Sequence, residues 1–152
     1  MRKYILIFLA LFGCKKIDEN GFQTYTIKKG KHRSGWRYNT TRSNSFNIEV
    51  IFDESAQYTT VDPVNQYDVN KLWGVSDCGN NHSDFEKITT VNINETNRMH
   101  LTISKNSYEL RVNGVIKTVS RPCSGDYKRY KLYPYFGGDE TAPHTIKIMI
   151  KE

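Results

Sequence analysis

The chain has 152 residues, of which 38% are hydrophobic and 25% charged, and a formal charge of +6. That length suits one domain, able to bury about two-thirds of its unfolded surface. No run is apolar over the roughly 20 residues that a membrane helix needs, so a membrane-spanning helical protein is excluded.

The first element is an N-terminal signal. Met1-Arg2-Lys3 forms a basic n-region, and Tyr4 to Phe12 forms a short apolar h-region. Leu11-Phe12-Gly13-Cys14 closes it as a bacterial lipoprotein signal does, with a small residue before the cysteine whose thiol takes the lipid. Phe12 is bulkier than is usual at its position, and the alternative is an ordinary secretory signal with a chance cysteine. The expected boundaries are a signal peptide over 1–13, a lipidated Cys14 and tether over 14–21, and one β-domain over 22–152. Two or more acyl chains would give stable anchoring, at about 0.8 kcal/mol per buried methylene. The expected location is the cell envelope, at the outer membrane, on its periplasmic or its surface face.

The segment Lys15-Lys16-Ile17-Asp18-Glu19-Asn20 has two readings. It is a solvated tether, or it resembles the lysine-plus-acid signal that sends Bacteroidota lipoproteins to the outer face of the outer membrane.

From Cys14 onward the chain is 139 residues with a charge of +4, since Arg2 and Lys3 carry two of the six charges. The excess gathers in Lys28, Lys29, Lys31, Arg33, Arg37 and Arg42. Such a patch attracts anionic glycan, lipid or nucleic acid, or is simply a solvated loop. An exported, lipid-anchored protein is not expected to meet nucleic acid.

Period-2 patterns then dominate. Phe46, Ile48, Val50 and Phe52 alternate with Asn47, Glu49 and Ile51; Tyr108, Leu110 and Val112 alternate with Glu109 and Arg111; Ile146, Ile148 and Ile150 alternate with Lys147, Met149 and Lys151. Each is a strand with one buried and one wetter face. Leu101 and Ile103 (beside His100 and Thr102) and Val91 and Ile93 (beside Asn92 and Asn94) predict two more. Asn113-Gly114 is a two-residue hairpin signal. Asp62-Pro63, Arg121-Pro122 and Gly137-Gly138 mark loops. The span from Asp68 to Trp73 has room for one helical turn, and no longer amphipathic helix is expected. The fold class is therefore all-β, an antiparallel two-sheet sandwich of jelly-roll type, with 28–44 and 54–70 as long loops suited to ligand contact.

With Cys14 lipidated, Cys78 and Cys123 remain in an oxidising compartment, where a disulfide persists. Spacing does not decide whether they meet. Neither lies in a Cys-x-x-Cys or zinc-like pattern.

Two segments carry a resemblance. Tyr67-Asp68-Val69-Asn70-Lys71-Leu72-Trp73-Gly74-Val75-Ser76-Asp77 and Tyr130-Lys131-Leu132-Tyr133-Pro134-Tyr135-Phe136-Gly137-Gly138-Asp139-Glu140-Thr141-Ala142-Pro143-His144 resemble stretches of a group of small Bacteroidota lipoproteins that end in a similar Tyr-Pro-Tyr-Phe-Gly-Gly run and a final strand. The likeness covers the chain from about Phe46 onward and implies no activity. Met99 to Val115 is also similar to the hairpin of concanavalin-like jelly rolls, a likeness of fold alone.

Candidate chemistry is sparse. Retaining glycosidases need two carboxyls about 5–5.5 Å apart. In an unbroken strand Glu49 and Asp53 share a face about 13 Å apart, and Glu54 points away, so a small hydrolase or lyase is the least favoured reading. Asp77, His82 and Asp84 are of metal-ligating type, and Asp139 and Glu140 are oxygen donors of calcium type. A polar loop and a plain turn are the favoured readings, so no metal or cofactor is expected. The aromatics are the best lead, because sugar rings stack on them and pockets mix aromatic walls with a few polar groups. Trp36, Arg37, Tyr38 and Trp73 are the expected ligand contacts, although Trp73, between Leu72 and Gly74, also reads as core. The expectation is thus a non-catalytic binding module, with glycan as ligand. The alternative is a protein-interaction, structural or inhibitor lipoprotein with an envelope partner.

Overall fold

A computed structural model describes residues 17–35, 39–68, 70–78, 87–125 and 128–152. The signal peptide, Cys14, Trp36, Arg37, Tyr38, His82 and Asp84 lie outside the described residues.

The described chain is all-β, with two short 3-10 turns. In order come β1 (Gln23–Ile27), β2 (Thr40–Thr41), β3 (Ser45–Phe52), a turn at Glu54–Ala56, a turn at Pro63–Tyr67, β4 (Gly74–Val75), β5 (Thr96–Ile103), β6 (Ser107–Val112), β7 (Val115–Ser120), β8 (Arg129–Leu132) and β9 (Ile146–Lys151). They form two antiparallel sheets, one of six strands in the order β1-β9-β3-β5-β6-β7 and one of three in the order β2-β8-β4. This is the expected two-sheet sandwich, with layers of unequal size. No described helix is long and apolar enough to cross a membrane.

The alternation seen in the sequence decides which face is which. Tyr25 and Ile27 of β1, Ile146, Ile148 and Ile150 of β9, and Ile48 and Val50 of β3 are buried in one cluster with Phe136 and Ala142. Cross-strand register stacks them, with Val50 opposite Ile150 and Tyr25 opposite Ile148. The second layer closes over this face. Trp73 meets Phe46 edge-on at 5.3 Å between centroids, and Tyr133 stacks on Tyr25 at 6.0 Å.

The Asn113-Gly114 turn joins β6 to β7 with φ of 49° and 88°, the doubly positive geometry of a type I′ hairpin. Two expectations need correction. Val91 to Ile93 is not a strand, and Ile93 makes only an isolated parallel bridge to Phe52. Its neighbour Asn92 is instead bound by Asn97, whose buried side-chain amide donates to the Asn92 carbonyl at 2.9 Å and accepts from the Asn92 amide at 3.1 Å. A side chain that takes the backbone groups competes with a ladder. The helical turn also lies earlier than Asp68 to Trp73, at Pro63–Tyr67. There the Asp62 carboxylate accepts from the Val64 amide at 3.0 Å, and proline occupies the first turn.

The two segments that carried the resemblance lie side by side. Gly74 and Val75 of β4 pair with Leu132 and Lys131 of β8. Lys71 and Tyr135 exchange backbone hydrogen bonds at 2.9 and 2.8 Å. The Asn70 side chain accepts from the Gly137 amide at 2.7 Å.

Candidate functional site

The outward face of the large sheet is left uncovered by the second layer. Its side chains are the polar partners of the alternation: Asn47 and Glu49 of β3, Arg98 and His100 of β5, Arg111 of β6 and Lys151 of β9. Register brings them together, with Glu49 opposite both Arg98 and Lys151, Asn47 opposite His100, and His100 opposite Arg111. They line an open groove of about 890 Å³.

Glu49 is shared by two cations, Arg98 Nε at 3.4 Å and Lys151 Nζ at 3.4 Å. Arg111 lies 3.7 Å from Glu109. These are solvent-screened pairs, each worth about 0–1 kcal/mol, so breaking them costs little. The His100 ring is held on both sides, with Nδ1 2.6 Å from Asn47 Oδ1 and Nε2 2.8 Å from Thr102 Oγ1. Arg98 is anchored by its backbone, whose amide donates to Asn113 Oδ1 at 2.8 Å. The groove thus offers amide, imidazole, guanidinium and carboxylate groups across adjacent strands. Its two described acids are both paired with cations, Glu49 with Arg98 and Lys151, and Glu152 with Lys131. Glu49 is held by its cations, while Asp53 accepts from the Ser55 amide at 2.9 Å and caps a turn.

Of the expected ligand residues, only Trp73 is described. It is half-buried against Phe46, and its Nε1 donates to Glu152 Oε1 at 3.2 Å. Glu152 also lines the groove and pairs with Lys131, so Trp73 touches the groove's end through one carboxylate. The groove residues themselves were visible in the sequence as the wet side of each strand. The strand order that gathers them was not.

A second, apolar pocket of about 250 Å³ lies on the other side of the sheet, where the two paired segments meet the core. Phe52, Tyr58, Leu72, Tyr135 and Phe136 wall it, with Asn70 and Lys71 as its polar members.

Cys78 and Cys123 are disulfide-bonded, with Cα atoms 5.5 Å apart. Beside them is a charged cluster that sequence reading did not assemble. Asp77 accepts from Arg121 Nε at 2.7 Å, from Arg129 Nε at 3.0 Å and from the Tyr108 hydroxyl at 2.9 Å. All three charged side chains are buried, at 4%, 2% and 1% exposure. Burial alone would raise the Asp77 pKa, but hydrogen bonds from Arg121, Tyr108 and Arg129 outweigh it and hold the carboxyl at about 2. Tyr108 is pushed above the usual phenol range by burial and by its bond to Asp77. Asp77 and the two sulfurs lie within 4.8 Å of one another, but both sulfurs are in the disulfide and the carboxylate is engaged by two guanidiniums, so this set is a structural crosslink in its oxidised form. Glu140, read in the sequence as a calcium-type donor, instead binds the chain. It accepts from the Val61 and Asp62 amides at 2.9 and 2.7 Å and from Asn65 Nδ2 at 3.0 Å. The Asn65 bond first, and then the two amides, lower its pKa.

No known family model, curated protein or solved structure matches the chain.

Proposed function

We propose that this protein is a non-catalytic binding module of the cell envelope, anchored by lipid at Cys14, which takes a glycan on the open face of its large sheet. The observation that carries the reading is the 890 Å³ groove across adjacent strands, lined by Asn47, Glu49, Arg98, His100 and Arg111. Sugar hydroxyls are bound by groups of this kind, and a groove suits an extended chain better than an enclosed pocket does. Trp36, Arg37, Tyr38 and Trp73 remain proposed contacts; Trp73 adjoins the groove through Glu152.

The test is binding of the full-length protein in detergent to a panel of neutral and acidic glycans, with Arg98→Ala/His100→Ala and Trp73→Ala variants alongside. A glycan whose affinity falls tenfold or more in the double variant, at unchanged melting temperature, supports the reading. Silence across the panel sinks it.

One observation favours a protein partner as the second reading. Edge strand β7 exposes Val115 and Ile116, at 44% and 52%, and an exposed edge is a template for strand addition. A stoichiometric partner in a crosslinked envelope pull-down, lost when Ile116 is replaced by Lys, would establish it.

A further inference from the structure

The 250 Å³ pocket at the seam of the two paired segments is separate from the polar groove, and what it binds does not depend on the glycan reading. Three features argue that it is built to receive something. Its walls are aromatic and aliphatic: Phe52, Tyr58, Leu72, Tyr135 and Phe136. Those walls are pinned. Tyr135 stacks on His32 at 5.4 Å between centroids and 11° between planes, and His32 Nδ1 is 2.8 Å from the Phe136 carbonyl. Tyr58 meets Phe136 edge-on at 4.8 Å, and its hydroxyl accepts from Asn70 Nδ2, whose other amide atom is held by Gly137. Finally, among the described residues Lys71 gives the pocket a cation. Lys71 Nζ lies 5.6 Å from the centroid of the Tyr135 ring that walls it, and has no carboxylate partner among the described residues.

An apolar cavity of about 150 Å³ holds a benzene ring, so 250 Å³ accommodates one ring with a short substituent. An ammonium beside such a cavity complements an acid on that substituent. We infer that this pocket binds a small carboxylate with a single-ring or branched apolar body, the body against Phe52, Leu72 and Phe136 and the carboxylate toward Lys71.

The experiment is equilibrium dialysis of 3-phenylpropionate, and separately of the uncharged 3-phenylpropanol, against the full-length protein in lipid nanodiscs, with empty nanodiscs as blank. Lys71→Met removes the charge from an exposed side chain, and Ala56→Leu, at a residue that lines the pocket, fills the space. Saturable uptake of the acid is expected, weakened about three- to fivefold by Lys71→Met, as for a screened ion pair, with phenylpropanol insensitive to that change. Ala56→Leu is expected to abolish uptake of both; if it does not fold, Lys71→Met carries the test. Uptake of the acid no greater than the blank overturns the inference. So does equal affinity for acid and alcohol with no effect of Lys71→Met, or full binding by a folded Ala56→Leu protein.

Discussion

Asp77 and Arg121 face each other at 2.7 Å, one residue before Cys78 and two before Cys123. The ion pair and the disulfide therefore clamp the same two segments at the same place. One clamp is covalent and the other is buried, and Arg129 joins the second from β8 at 3.0 Å.

Asp77→Asn is expected to destabilise the fold by about 3–5 kcal/mol, because it leaves two buried guanidiniums without their carboxylate. Replacing Cys78 and Cys123 by Ser opens a 45-residue separation and is expected to cost about 4 kcal/mol in the chain-entropy account. Urea unfolding of the two variants and of their combination would measure both. Since the sites are neighbours, the combined loss should differ from the sum by about 0.5 kcal/mol or more.

Acid should loosen the same clamp. The folded carboxyl sits at about 2, below the ordinary aspartate value near 3.9. A depressed folded pKa stabilises above the unfolded value and loses that contribution as pH falls through the folded one. Asp77 should thus contribute roughly 2 kcal/mol at neutral pH that fades between about pH 4 and pH 2. Urea midpoints across that range would show the decline, and Asp77→Asn should lack this part of it.

Asn97 is 1% exposed and binds Asn92 at both its amide and its carbonyl, the Glu95 carbonyl at 3.1 Å and Asn113 Nδ2 at 2.8 Å. Asn97→Ala leaves several of these groups unpaired, and a cost of about 2–3 kcal/mol is expected. Amide exchange should rise at Asn92 and around the Asn113-Gly114 turn before it rises in β3.

Gly138 has φ of +75°, and a Cβ there would lie 1.8 Å from the Asp68 carboxylate. Gly138→Ala is expected to cost about 1–3 kcal/mol through the left-handed backbone and the displaced side chain. Gly30, at a similar φ of +73° with nothing within 4 Å, is the control. Gly30→Ala should cost less, by the part due to the clash, as thermal melts of the pair would show.

Arg98→Ala should leave stability within about 0.5 kcal/mol of the parent, since its pair with Glu49 is screened by solvent. A fall in stability of more than 2 kcal/mol would mean that the open face is a packed surface and not a groove free to bind.

The sequence alone determined the class of structure and the two faces of the long strands, because side chains on a strand alternate with period 2 and burial follows them. Phe46, Ile48 and Val50 went inward and Asn47 and Glu49 outward, as the alternation dictates. The Asn113-Gly114 turn was legible for an equally local reason, since few residue pairs accept positive φ twice. What only the tertiary structure decided is non-local. No spacing in the chain says that β3 lies between β9 and β5, and it is that order which puts Lys151, Glu49 and Arg98 in a row and makes a groove of scattered polar residues. Nor does any spacing say that Asp77 meets Arg121 and Arg129, 44 and 52 residues away. A buried charge is stable only beside its partner, and the partner is supplied by the packing of sheets, which depends on every strand at once.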